Sequence, residues 1–234
     1  MKKLAIGVYL LVTLCLLGLG YQRAVHAPID ERQGEIYRVI FYHVPSASVA
    51  FVFFAVSLVG SIGYLASRRE HRERAQKFDA WALAGAEVGV VFCTVVLVTG
   101  PIWARCAWNI WWTWDERLTT TLVLWVIYVS YLLLRRFAAG PQMQTSAAVL
   151  GIFGFLDVPI VYIVTRLPGY RGMHPKPVFG GEPGTGMAPP MLHAFLWNML
   201  AWFAWGVLIL ALRYSLERQH QKIAAAEVQR ALEA

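Results

Sequence analysis

Apolar residues in this chain fall into six long, nearly unbroken runs instead of the short alternating stretches of a water-facing fold. The runs cover about residues 4–21, 42–66, 80–103, 118–134, 145–165 and 191–212. A helix rises 1.5 Å per residue, so about 20 apolar residues span a hydrocarbon core about 30 Å thick. Inside lipid a lone strand leaves its backbone polar groups unsatisfied, whereas a helix satisfies its own. The pattern therefore predicts an all-α integral membrane protein, one polytopic domain over 1–234 with six transmembrane helices.

The first run admits a second reading. Lys2 and Lys3 followed by an apolar stretch resemble a signal peptide, with Val25-His26-Ala27 as a loose cleavage site. The run is long for a signal, however, and Pro28 would follow the cut. A retained helix is the expectation.

Charge sets the expected orientation. Cytoplasmic loops collect Lys and Arg, and the short loop 66–79 carries Arg68, Arg69, Arg72, Arg74 and Lys77. This predicts both termini in the cytoplasm, with 213–234 as a mixed-charge, solvated helix extension forming a cytoplasmic tail. Segments 22–41, 104–117 and 166–190 then face outward, and these are the long, Pro/Gly-rich or aromatic-rich connections where functional residues concentrate. The expected site is on the outer side of the membrane, away from the cytoplasm.

Composition agrees. Of 234 residues, 58% are hydrophobic and 15% charged, and the mean hydropathy is +0.50. A soluble domain has about 25% charged residues, so a soluble enzyme or a disordered chain is a poor fit. The net charge of +7 is better explained by the inward-facing basic loops than by nucleic acid, which is not an expected partner. Cys15, Cys93 and Cys106 form no C-x-x-C pair, which argues against a disulfide framework or thiol-redox centre.

Candidate chemistry concentrates in residues 100–125, GPIWARCAWNIWWTWDERLTTTLVLW. Trp103, Trp108, Trp111, Trp112 and Trp114 lie within twelve residues, just ahead of Asp115 and Arg117. An interfacial aromatic belt explains one or two tryptophans per helix end. If the stretch is helical, Trp108, Trp111, Trp112 and Asp115 share a face, and the helix lies along the membrane surface as an external Trp-rich interfacial segment, 104–117. Such a face offers stacking area with indole N–H donors at its edge, suited to a planar ligand such as porphyrin. Arg117 or Arg105 could pair with a propionate. Asp115 and Arg117 could equally serve packing alone.

Four histidines lie on the expected outer side: His26 in the first outer loop near no other feature, His43 at the entry to the second span, His174 in the last outer loop and His193 at the entry to the sixth. Imidazole is a common axial ligand of haem iron. No histidine lies deep in a span, which disfavours a bis-histidine haem buried in the bundle. His71 and His220 read as solvated surface. Glu87 and Asp157 fall inside spans, where carboxylates are costly and are candidates for function.

These residues carry a resemblance. The segment W-N-I-W-W-T-W-D-E-R-L-T, Trp108 to Thr119, resembles the WWD signature of the haem-handling proteins of cytochrome c biogenesis. Six spans and this length are similar to the cytochrome c maturation protein C (haem exporter protein C) family within that group. Y-R-V-I-F-Y-H-V-P around His43 and L-V-T-G-P-I-W ahead of the tryptophans match its pattern. The chain departs from that pattern at Asn109, where glycine is common, and at Ala104.

The resemblance implies that His43 and His174 are the axial ligands of haem iron, with His193 as the alternative to His174. It implies a haem platform at Trp108, Trp111, Trp112, Trp114 and Asp115, with Arg117 beside it. It further implies that haem b is bound in transit at the outer face and presented to a membrane-anchored haem chaperone, cytochrome c maturation protein E, for covalent attachment. An ATP-binding-cassette transporter pair, cytochrome c maturation proteins A and B, and the small single-span cytochrome c maturation protein D would complete the complex, embedded in membrane lipid. The chain alone would be an assembly factor and not an enzyme. Two other readings stand beside this one: a small-solute transporter using Glu87 and Asp157, or a structural subunit of a respiratory complex.

Overall fold

The computed structural model describes residues 2–31, 33–138, 140, 142–175 and 187–233. Helix α1 (Lys2–Val25) is followed by a 3-10 turn (Glu35–Val39) that leads into α2 (Ile40–Ser67). Then come α3 (Arg72–Trp108), α4 (Glu116–Phe137), α5 (Met143–Phe155), α6 (Asp157–Ile163), a 3-10 turn (Val164–Arg166) and α7 (Pro189–Glu233). Among the described residues the only β-type pairing is an isolated bridge, Asp30 to Gly34. Six helical stretches among the described residues are long and apolar enough to cross a membrane, and each contains one of the six apolar runs.

The helices outrun the apolar runs. Helix α3 begins at Arg72, so the basic loop expected over 66–79 shrinks to Arg68–His71, with Arg72, Arg74 and Lys77 on the helix itself. Helix α7 has 45 residues, about 67 Å at 1.5 Å per residue and twice the hydrocarbon thickness. The fifth span is built in pieces. Pro159 lacks the N–H that the Phe155 carbonyl would accept, and the helix breaks at Leu156 between α5 and α6.

The core forms where α2 and α3 run side by side. A Cβ on Gly60 would stand 2.5 Å from the Ala82 nitrogen, and one on Gly85 2.7 Å from the Phe53 carbonyl oxygen. The two backbones therefore touch through small residues, the packing mode available where lipid offers no hydrophobic drive between helices. Around this seam Phe54 stacks on Tyr128 of α4 at 3.9 Å, and the Tyr128 hydroxyl donates to the Gly151 carbonyl at 3.1 Å. Helix α1 leans mainly on α7, where Asn198 Nδ2 donates to the Gly20 carbonyl at 2.9 Å.

At one end of the bundle is a polar cluster that the sequence pattern did not predict. Arg135, expected in a loop, lies on α4 and forms a two-pronged pair with Asp79 of α3, at 2.6 and 3.0 Å. Gln144 of α5 donates to the same carboxylate at 2.9 Å, and Gln221 of α7 at 3.3 Å. The tail is the expected helix extension, but its first part is anchored and not solvated: Arg213 binds Glu87, and Glu217 lies 3.5 Å from Arg135. Only from Lys222 onward is it exposed throughout.

Candidate functional site

The opposite end of the bundle gathers the start of α2, the end of α3, the start of α4 and the loop after α6. Phe41 and Pro45, one helical turn apart, are buried on one side of α2, where Phe41 joins an apolar cluster with Ala24, Met191 and Phe195. His43, two residues from each, points to the other side, toward α3. Its Nδ1 lies 2.9 Å from the Thr99 hydroxyl. Gly100 gives the ring room, since a Cβ there would stand 3.3 Å from His43 Cε1.

The tryptophan stretch departs from the expected single helical face. Helix α3 stops at Trp108 because Asn109 adopts the left-handed conformation, φ 60° and ψ 21°, with its N–H on the Arg105 carbonyl. Glycine and asparagine are the residues that tolerate this helix-ending geometry, so asparagine suits this position. Arg105 is drawn into the same turn, bonding the Asn109 carbonyl at 2.8 Å and its side-chain oxygen. Residues 110–114 are not helical, and Trp108, Trp111, Trp112 and Asp115 do not form a stripe.

Two edge-to-face pairs result instead. Trp103 and Trp108 meet at 4.5 Å on the last turns of α3, and Trp112 and Trp114 at 5.7 Å beyond the turn. Trp111 and Trp114 are the exposed members, at 60% and 76%. Trp103 donates its indole N–H to Gln33 at 3.0 Å. With Gln33, Cys106, Met173 and Pro175, Trp103 and Trp108 line a cavity of about 310 Å³, at the small end for a ligand site.

Asp115 has a local structural role. Its Oδ1 accepts the Leu118 N–H at 2.9 Å and caps α4, and its Oδ2 accepts from the Thr113 hydroxyl at 3.0 Å. Arg117, on the first turn of α4, donates to Thr165 at 3.3 Å. Trp112 Nε1 and Thr119 Oγ1 are buried without a hydrogen-bond partner among the described residues.

His174, from the loop after α6, is half-buried, with Nδ1 2.9 Å from the Pro175 carbonyl. Burial and the nearby Arg117 push its pKa down to about 4, which the Pro175 contact partly opposes. The imidazole is thus neutral at pH 7. His43 lies within electrostatic reach of both His174 and Arg117. His193 sits on an exposed position of α7. The last outer loop is described only to Pro175, and residues 176–186 lie outside the described residues.

Sequence reasoning missed Thr99, Gln33 and Thr165, the partners of His43, Trp103 and Arg117. Only Thr99 had a signal, since it stands in the matched L-V-T-G-P-I-W segment. The two intramembrane acids separate. Glu87 is paired with Arg213 at 2.6 Å, whereas Asp157 lies at the α5–α6 break near Cys93.

A sequence profile of the family described as Heme exporter protein C matches residues 1–231. The chain is 33% identical over 150 residues to a Heme exporter protein C of Bradyrhizobium diazoefficiens, covering 64% of this chain and 55% of that protein. The chain thus spans little more than half of that relative's length. It is 28% identical over 200 residues to the protein of that name in Paracoccus denitrificans, covering 85% of this chain and 80% of that one. For the Escherichia coli K12 protein the figures are 28% over 205 residues, 87% and 77%. The profile runs from the first residue to within a few of the last, and the chain belongs to the heme exporter protein C family.

Proposed function

We propose that this chain is a cytochrome c biogenesis factor that takes up haem b as cargo at the outer face of the bacterial cytoplasmic membrane. It presents the haem to a membrane-anchored chaperone, cytochrome c maturation protein E. It does so in a complex with an ATP-binding-cassette transporter pair, cytochrome c maturation proteins A and B, and the single-span cytochrome c maturation protein D. The observation that carries this reading is that His43 and His174, 131 positions apart in sequence, lie within electrostatic reach of each other and of Arg117, while Met173 and Pro175, the neighbours of His174, line one cavity with Trp103 and Trp108.

The residues fit the cargo. Two imidazoles suit iron, which supplies two axial coordination positions in a six-coordinate haem. Arg117 supplies a guanidinium for a propionate carboxylate. The Trp112 N–H and Thr119 hydroxyl, buried without a partner among the described residues, are further polar groups beside the tryptophans and Arg117. Trp111 and Trp114 offer exposed stacking area for the porphyrin face or for the receiving chaperone. The basic residues Arg68, Arg69, Arg72, Arg74 and Lys77 at the other end support a cytoplasmic placement of that end, which puts the histidines outside. The chain's own contribution is ligation, orientation and shielding.

The visible spectrum of the detergent-purified chain tests this. The wild type is expected to show a Soret band that His43→Ala and His174→Ala abolish or shift and His193→Ala leaves in place. A colourless wild type despite ample haem supply overturns the reading.

A further inference from the structure

The two histidines present the same ring nitrogen. The Pro175 carbonyl can only accept, so the 2.9 Å contact to His174 requires the proton on Nδ1 and leaves the Nε2 lone pair free. At His43 the partner is a hydroxyl, which could act either way. The Thr99 hydroxyl, however, lies 2.7 Å from the Val95 carbonyl, one turn back on its own helix. Its single proton is directed there, so toward His43 it can only accept. Nδ1 of His43 therefore carries the proton, and Nε2 holds the lone pair.

We propose that Thr99 is a positioning residue that fixes His43 in the tautomer with Nδ1 protonated. Both imidazoles are then set to bind through Nε2 before any ligand arrives. The proposal rests on the haem reading for its consequence, but the tautomer is a property of the ligand-free chain. Gly100 works with Thr99: a side chain there would press on Cε1 and tilt the ring away from the hydroxyl. A ligating histidine that donates its other N–H is held in orientation and made more basic, and losing such a partner costs about 10–100-fold in affinity.

The test has two independent readouts. Nitrogen-15 NMR of histidine-labelled, haem-free protein in lipid nanodiscs reports which ring nitrogen carries the proton, with His43 assigned by its disappearance in His43→Gln. The expected result is Nδ1–H in wild type and Thr99→Ser, and a mixture of tautomers in the near-isosteric Thr99→Val. Nε2–H in wild type, or a tautomer unchanged by Thr99→Val, overturns the proposal. In titrations with haem, Thr99→Val is expected to bind about 10–100-fold more weakly and with a higher reduction potential, both restored by Thr99→Ser. Affinity and potential equal to wild type in Thr99→Val overturn the positioning role. Failure of the wild type to bind haem sinks the proposed function, while the NMR result still decides the tautomer.

Discussion

Arg213 of α7 holds both carboxylate oxygens of Glu87 on α3, Nε to Oε2 and Nη2 to Oε1, each at 2.6 Å. The acid that stood out as a candidate for a membrane relay is thereby neutralised by a cation 126 positions away. Asp157 faces α3 near Cys93, six residues and about 9 Å further along the helix than Glu87. Removing either partner of the pair is expected to lower the apparent Tm in detergent, by less than the roughly 3–5 kcal/mol of a fully buried pair because both side chains are partly exposed. The double variant Glu87→Leu with Arg213→Met is expected to recover most of the stability and to keep its haem spectrum. A solute relay through Glu87 requires that double variant to be inactive.

The Asp79–Arg135 pair tests the same physics under deeper burial, with side chains only 3% and 7% exposed. Asp79→Ala leaves the Arg135 guanidinium buried with only the more distant Glu217 carboxylate, and should cost about 3–5 kcal/mol. Replacing both by Leu and Met should cost much less. Thermal unfolding followed by circular dichroism compares the two.

Asn109 ends α3 through a positive φ of 60°. Asn109→Gly is expected to stay within a few tenths of a kcal/mol of wild type. Asn109→Val forces a β-branched residue into the left-handed region and should cost about 1–2 kcal/mol. If the turn positions the tryptophans, Asn109→Val also weakens haem binding. Equal haem affinity in all three proteins would detach the turn from the site.

Trp111 and Trp114 are largely exposed, so alanine at either is expected to change stability by no more than about 0.5 kcal/mol. Haem retention, or transfer to the chaperone, should nevertheless fall clearly. Parallel measurement of Tm and Soret absorbance separates the two effects. A drop in Tm matching the drop in haem would make these residues structural.

The cap at Asp115 gives an opposite signature. Asp115→Asn keeps an oxygen for the Leu118 N–H and is expected to be nearly silent, whereas Asp115→Ala should cost about 1 kcal/mol. A direct haem contact by the carboxylate predicts instead that Asn loses haem as severely as Ala.

Much of the fold was legible before any coordinates. A membrane span is a one-dimensional requirement for enough consecutive apolar residues, and five of the six runs lie within single helices, the fifth crossing the break at Leu156. The start of α3 was not legible, because polar residues beyond the lipid continue a helix as readily as apolar ones: it begins at Arg72, inside the expected basic loop, whereas the helix extension expected over 213–234 is the end of α7. At the site, His43 and the tryptophan cluster stood out by residue type and motif. The arrangement of the tryptophans did not, because one backbone dihedral at Asn109 replaces a helical stripe with two edge-to-face pairs.

Hydropathy and motif were thus sufficient for the number of spans, the family resemblance and the identity of the candidate ligands, since each is written in a short stretch of chain. Which nitrogen His43 offers, what neutralises Glu87 and which groups surround Arg135 depend on side chains 56 or more positions apart. Those pairs exist only because the α2–α3 seam and the docking of α4 and α7 bring the groups together. No local pattern encodes that meeting, because hydrogen bonds and ion pairs depend on distances that helix packing alone sets.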